Sequence, residues 1–512
     1  MTLDIVKNNG LFAIKTLRQR VWGVLALTLL LPACMTTNPA TGKQEFTPFM
    51  SPAQEQALGQ QAHPQVMAEQ GGVYENDKIG GYVAAIGGRL AANSEMKDQP
   101  FTFTVLNTPI VNAFALPGGY IYVTRGILAL FNDEAEMASV LGHEIGHVTA
   151  RHTAKRYNQQ IFTGLLAGVA GAAIGNAQVA EALNYGGQLY LLGYSRDQEY
   201  QSDKLGVRYM SRTGYDPYAA ADMLDSLQRQ DALQDLIAKR EKSSRPPEFF
   251  STHPNTADRS ARADAAAAKT GISQGGKPRH RDAYLQAIDG MLYGDDPAQG
   301  FIRGRMFWHG PLRLTFTAPE NFLLLNTSEM VVGQGTGPAA GAAFAFSGGD
   351  LSSQNNALAA YFSSVWQKYT GGKATAQEMQ QVDINGMTAL TGVAIGQSKQ
   401  GNVLVRLLAV QYSPEKAYHF FMIVPEALQA SLGDDMKRLT YSFRKLTTDE
   451  ADDVKPLRIK IATVQRGDTP TSLARYMAFD KYKLERFLTL NGLSERSILK
   501  AGQKVKLVVE EK

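Results

Sequence analysis

The sequence predicts an α+β, multidomain chain. A mainly helical domain with a small edge sheet comes first, then an α+β domain, then a small βααβ module. Three observations carry that reading. Helical periodicity fills residues 133 to about 270, with only short strand patterns before it. From residue 301 strand-like runs alternate with two helical stretches. The last segment, 457–512, runs strand, helix, helix, strand. A length of 512 residues accommodates such an arrangement at roughly 150 residues per domain.

In chain order, residues 1–33 read as a signal peptide. Lys7, Lys15, Arg18 and Arg20 precede the apolar run Val21 to Ala33, which is too short to span a bilayer comfortably. Leu31-Pro32-Ala33-Cys34 then resembles a bacterial lipobox, so Cys34 is the expected lipidation site. It is the only cysteine, which excludes a disulfide within the chain. Met35 follows where an Asp commonly retains lipoproteins in the inner membrane, so the resemblance implies a lipid anchor in the outer membrane. Several acyl chains would hold firmly, at about 0.8 kcal/mol per buried methylene.

Residues 34–50 are polar and turn-rich, as in a tether. Residues 51–290 form the next expected unit: helices over 51–100, strands at Phe101–Val105 and Tyr120–Thr124, and a turn at Pro117-Gly118-Gly119. The apolar run 161–175 is marginal for a membrane span and is expected to be a buried or lid helix. Residues 301–447 form an accessory domain with strand runs at Leu312–Thr317, Ala342–Phe346, Val403–Tyr412 and Tyr418–Val424. Gly335 to Ala340 superficially fits a nucleotide-binding pattern, but Pro338 makes it a loop. Net charge is only +4, which argues against nucleic acid as a partner. The tail 454–512 nonetheless carries thirteen Lys/Arg against six Asp/Glu, which suits an anionic partner or a solvated basic face.

The chemical centre is His143-Glu144-Ile145-Gly146-His147. Met137, Leu141, Ile145 and Val148 form one helical stripe, and Asp133 with Glu136 suits a cap at its start. His143 and His147 are one turn apart, so both imidazoles leave the same face. That spacing suits two zinc bonds of about 2.0–2.1 Å, with Glu144 beside them to accept a proton from water. Gly142 and Gly146 each cost a helix about 1 kcal/mol against alanine, which predicts close approach by another element. A third ligand is needed, and Ser195 to Asp203 offers one. Ser195 with Gln198 fits a capping box, and Gly214 a stop. Glu199 and Asp203 lie one turn apart. Glu199 can bind metal while Asp203 accepts a hydrogen bond from a ligand imidazole and fixes its tautomer.

Residues 36–290 resemble the M48 family of zinc metallopeptidases, in its periplasmic lipoprotein branch. The matching stretches are Thr37 to Lys43, Asn112 to Ile121, His143 to His147, Ala150-Arg151-His152, Ser195-Arg196 with Glu199 and Asp203, and Ser251-Thr252-His253-Pro254. The resemblance implies a zincin-type domain holding one Zn2+ through His143, His147 and Glu199, with Glu144 as general base. It brings His253 close to the metal, either as a gate or as an aid to the transition state. The strand Asn112, Ala113, Phe114 is expected to pair with an extended substrate, favouring unfolded or misassembled envelope polypeptides. Residues 457–512 resemble a LysM domain, through Arg466-Gly467-Asp468-Thr469, Asn491-Gly492-Leu493 and Ala501-Gly502-Gln503, which implies peptidoglycan as a partner. The leading expectation is therefore a zinc endopeptidase on the periplasmic side of the outer membrane. An assembly chaperone or scaffold with latent proteolysis and a peptidoglycan-binding protein remain as alternatives.

Overall fold

The structure, a computed structural model, describes residues 35–159, 161, 193–238, 253–254, 258–327, 329–351, 357–398, 401–453 and 455–511. The expected leader, Cys34, all but the first residue of the apolar run 161–175, and Ser251-Thr252 lie outside them. No helix among the described residues is long and apolar enough to cross a membrane.

The stretch expected as a tether is bound to the domain. Strands β1 (Met35–Thr37) and β2 (Gln44–Phe46) pair antiparallel. Asn38 donates to the Ala150 carbonyl at 3.1 Å and the Ala40 amide to that of Thr149 at 3.2 Å. Helices α1 (Pro52–Glu69) and α2 (Asp77–Ala92) follow, capped by Ser51 and Asn76. Strands β3 (Thr102–Leu106), β4 (Ala113–Leu116) and β5 (Tyr120–Thr124) form the small sheet. Its order is β3-β5-β4, with β5 parallel to β3 and antiparallel to β4. The turn between β4 and β5 holds Gly118 and Gly119 at φ +82 and +89, where a side chain would be strained.

After the short α3 (Arg125–Leu130) comes α4 (Glu134–Thr149), the helix of the two histidines. It crosses α5 (Arg196–Thr213) at backbone contact. A Cβ on Gly142 would sit 3.1 Å from the Gly206 Cα, one on Gly146 3.2 Å from that of Ser202, and one on Gly206 3.0 Å from the His143 amide. The glycines thus accept their propensity penalty so that the two helices can touch. Helices α6 (Ala219–Ala238), α7 (Arg259–Ala268) and α8 (Arg281–Ile288) complete the domain, and β6 (Leu292–Tyr293) leaves it.

The accessory domain is built on a seven-stranded sheet in which all neighbours are antiparallel. Its strands are β10 (Phe322–Asn326), β11 (Val331–Gly335), β12 (Ala343–Asp350), β13 (Gln377–Ile384), β14 (Met387–Ser398), β15 (Gly401–Gln411) and β16 (Lys416–Pro425), in the order β10-β11-β12-β16-β15-β14-β13. Residues on β15 alternate between two cores. Val403, Val405 and Leu407 meet Phe362, Val365 and Trp366 of α9 (Ala357–Thr370). Leu408 and Val410 join Leu432, Met436 and Leu439 of α10 (Gln429–Tyr441) and a four-stranded sheet made from β7 (Phe301–Arg303), β8 (Met306–His309), β9 (Leu314–Thr317) and β17 (Arg444–Lys445). Each of the four expected strand runs contains a strand, the first starting only at Leu314 because Leu312 and Arg313 lie in the turn before it, and the expected loop at Gly335 ends β11 and enters a single turn of 3-10 helix, Gly337–Ala339.

The terminal module contains β18 (Leu457–Thr463), α11 (Pro470–Ala474), α12 (Lys483–Asn491) and β19 (Lys504–Glu510), in the expected order. It is not an appended bead. Strand β18 pairs with β6, and Phe487, Leu490, Val505 and Leu507 share one apolar core with Leu128, Leu285 and Met291. The amine of Lys506 is buried and donates to the carbonyls of Ala129, Leu130 and Phe131, at 2.8, 3.2 and 2.6 Å, closing the C-terminal end of α3.

Candidate metal centre

Helix α4 begins where Asp133 accepts from the Glu136 amide at 2.9 Å, and Glu136 reaches back to the Asn132 amide at 2.7 Å. Helix α5 begins with the Ser195–Gln198 capping box and ends at Gly214, φ +94. These local signals, all legible in the sequence, set the phase of both helices. The glycine contact then brings their histidine and carboxylate faces together.

His143, His147, Glu199 and His253 each offer a ligand atom, all within 4.8 Å of one another, and all four are buried. The Nε2 atoms of His143 and His147 are 2.9 Å apart. His253 Nδ1 lies 3.4 Å from His143 Nε2 and 3.2 Å from Glu199 Oε1. Glu199 oxygens lie 3.6 Å from His143 Nε2 and 3.5 Å from His147 Nε2. Four atoms around a tetrahedral zinc at 2.0–2.1 Å stand about 3.3–3.4 Å apart, so the set has the right size.

Charge agrees. Among the described groups that touch these ligands, Glu144 and Asp203 join Glu199 against the single guanidinium of Arg259. Three carboxylates less one guanidinium leave a formal −2 that one divalent cation balances. Neither Glu144 oxygen has a hydrogen-bond partner among the described residues, and Oε1 sits 3.6 Å from His253 Nε2.

The surroundings set protonation. Burial, with His143, His152 and His253 near it, holds the His147 imidazole well below its ordinary value, so it is neutral. Burial pushes the Glu144 carboxyl up, which makes it the better proton acceptor. Asp203 accepts from His143 Nδ1 at 2.8 Å, as expected. Burial opposes its ionisation, but Arg259 and that hydrogen bond hold it below the usual carboxylate range.

Several side chains at the site carry no sequence signal of their own. Arg259, the first residue of α7, is 1% exposed and clamps both acidic residues of α5. Its Nε and an Nη donate to Asp203 at 2.9 and 2.7 Å, and the other Nη lies 2.9 Å from Glu199 Oε2. Tyr194 stacks on the His147 ring at 3.7 Å between centroids. Gln201 accepts from His152 at 3.1 Å.

Of the expected substrate strand, Ala113 and Phe114 lie in β4, an edge of its sheet. Ala113 offers its carbonyl to His253 Nε2 at 3.2 Å. Phe114 turns to the other side and stacks on Tyr122 at 4.9 Å. Asn112, just before the strand, donates its amide to the Thr124 hydroxyl oxygen and accepts from the Thr124 amide at its carbonyl, each at 3.1 Å.

A buried pair of helices presenting HExxH and a glutamate defines a metal-dependent peptidase domain. Comparison with known proteins agrees: residues 78–267 match Peptidase family M48 and residues 462–508 match the LysM domain. The chain therefore carries an M48 peptidase domain, whose family is zinc-dependent, and a LysM domain. It is 30% identical over 242 residues to the beta-barrel assembly-enhancing protease of Yersinia pestis, covering 45% of this chain and 46% of the relative. It is 32% identical to the mitochondrial metalloendopeptidase OMA1 of Schizosaccharomyces pombe, covering 40% of this chain and 58% of the relative. With metalloprotease LoiP of Escherichia coli (strain K12) the identity is 27%, over 43% of this chain and 83% of the relative. The chain thus spans about half the length of the first two.

Proposed function

We propose that this chain is a zinc-dependent endopeptidase, anchored by lipid at Cys34 to the bacterial outer membrane and facing the periplasm. Its substrates are unfolded or misassembled envelope polypeptides. The observation that carries the reading is the convergence of His143, His147 and Glu199 beside the carboxylate of Glu144, which accepts no hydrogen bond among the described residues. Zinc held there would polarise the scissile carbonyl and lower the pKa of water. Glu144 takes the proton from the attacking water and delivers it to the leaving amine. The edge of β4 offers main-chain groups to an extended substrate, a mode that reads backbone and suits unfolded chains. Names of the relatives, as proteases of barrel assembly and of mitochondria, are consistent with such a role.

His253 favours a second state of the same site. A catalytic zinc keeps one open position, and three imidazoles plus Glu199 leave none. His253 also holds the Ala113 carbonyl on the edge where substrate would pair. Withdrawal of His253 is then the activating step, and a chaperone-like protein with latent proteolysis is the alternative reading. The LysM module supports attachment to peptidoglycan, which sedimentation of the full chain with insoluble peptidoglycan tests.

The decisive experiment is Glu144→Gln in the full chain. The expected result is about one zinc per chain with no cleavage of a reduced, unfolded protein, while the wild type degrades it. Full cleavage by the variant overturns the peptidase reading. Equal rescue of envelope integrity by variant and wild type selects the chaperone.

A further inference from the structure

The accessory domain holds a cavity of its own, remote in sequence from the metal centre. It lies between α10 and the outer end of the sheet, with a volume of 360 Å3. Its lining joins apolar side chains, Ile384 of β13, Leu404 and Leu408 of β15, Met422 and Val424 of β16 and Met436 of α10, to the uncharged polar residues Gln380, Thr391, Gln429, Thr440 and Tyr441. Two charged residues line it, Arg406 and Lys437, and neither Asp nor Glu does. Arg406 projects from the middle of β15 between Leu404 and Leu408. Its only side-chain hydrogen bond is to Thr391 Oγ1 at 3.3 Å, and it makes no ion pair among the described residues. Gly433 of α10, an exposed residue, lines the cavity, and a Cβ there would meet nothing within 4 Å.

These features are costly without a ligand. Of the apolar wall, Leu404 stays partly exposed to the cavity, and the half-buried guanidinium of Arg406 faces that wall with no anion beside it. One ligand chemistry repairs both. We propose that this cavity binds a single-chain amphiphile with one carboxylate head, a fatty acid or its equivalent. The carboxylate pairs with Arg406, whose planar fork matches it with two parallel hydrogen bonds. Lys437 adds positive potential at the rim. The acyl chain lies along Leu404, Leu408, Met422 and Met436. The volume falls at the lower end of the roughly 300–1,000 Å3 usual for small-molecule sites, which fits one chain and not a two-chain lipid.

The test is titration calorimetry of the full chain with dodecanoate, beside dodecanol and a hexapeptide with an apolar last residue and a free carboxylate. The expected result is saturable binding of one dodecanoate, with dodecanol at least tenfold weaker. Arg406→Gln should weaken dodecanoate at least tenfold and leave dodecanol unchanged. Gly433→Leu, whose Cβ meets nothing within 4 Å and whose side chain then occupies cavity space, should abolish both. No saturable binding, or equal binding by wild type and Arg406→Gln, overturns the proposal. So does preferential binding of the peptide, which would assign the cavity to polypeptide C-termini. The dodecanol comparison needs no variant, and the outcome is independent of whether the metal centre cleaves peptides.

Discussion

The Nδ1 of His147 stands 3.0 Å from the Nδ1 of His152. Two imidazole nitrogens at that distance share one proton, and the rest of the network decides its place. Burial lowers His152 to about 3, so its ring is neutral. Its Nε2 faces Gln201 Oε1 and must carry the hydrogen. The His152 Nδ1 is then a lone pair, His147 Nδ1 donates to it, and His147 Nε2 is left free for metal. His143 reaches the same tautomer through the carboxylate of Asp203. We expect His152→Phe to weaken zinc affinity by about 10–100-fold, the usual effect of losing such support. Competition with a fluorescent chelator measures it, and unchanged affinity would mean that His147 is oriented by Tyr194 alone.

Arg259 joins Glu199 to Asp203 across one turn of α5. Removing its charge leaves two buried carboxylates with only imidazoles, His143 foremost, to balance them when metal is absent. Arg259→Leu should therefore destabilise the metal-free protein by about 3–5 kcal/mol. Arg259→Lys should lose less, since an ammonium keeps the charge but not the fork. Urea unfolding in the presence of a chelator reads both.

The residues that bind and support the metal differ in how they could be read. His143, Glu144 and His147 share five positions, and Glu199 with Asp203 share one turn, so helical spacing alone placed each pair on a face. His253 was reached only through resemblance, and the structure brings it to the other ligands. Arg259 was missed because it opens an alanine-rich helix, where one arginine looks like any solvated charge. Nothing local tells that its side chain reaches Glu199 and Asp203 of α5. In the accessory domain the missed strands include β13, Gln-Glu-Met-Gln-Gln-Val-Asp-Ile, a mostly exposed edge without apolar alternation. Strand β11 was hidden by Gly333, whose absent side chain makes room for the Phe344 ring.

His419 gives the accessory domain a pH dependence. It lies in β16 facing α9, with Nδ1 2.7 Å from the Tyr361 hydroxyl. Burial, aided by Lys368, lowers it from 6.5 to about 4. For a base whose folded value is depressed, stability is full above the unfolded value of about 6.5 and is lost as pH falls toward 4. The shift corresponds to at most about 3 kcal/mol. The melting of this domain, followed by tryptophan fluorescence, should drop across that window. His419→Gln should flatten the slope, and an unchanged slope would place the titrating group elsewhere.

Lys506 turns the basic tail into part of the peptidase core. In sequence it is one of thirteen cations in a tail that suits an anionic partner or a solvated face, yet it is 0% exposed and feeds three carbonyls at the end of α3. The chain leaves α3 through Phe131 and Asn132 directly into Asp133, the cap of the metal-binding helix. The LysM module therefore braces the start of α4 as well as whatever it binds outside. Lys506→Met keeps the apolar stem and removes the donor from the Ala129 and Phe131 carbonyls, while Leu130 keeps Asn132 Nδ2 at 3.3 Å, at a cost of about 1–3 kcal/mol for each buried group that water cannot reach. Its melting temperature should fall while peptidoglycan sedimentation of the folded fraction is unchanged. Deleting residues 457–512 should be worse, since Leu285, Met291 and Leu128 lose their cover. A soluble truncated chain that melts like the wild type would show that the module is only docked, and that the peptidase domain closes its core without it.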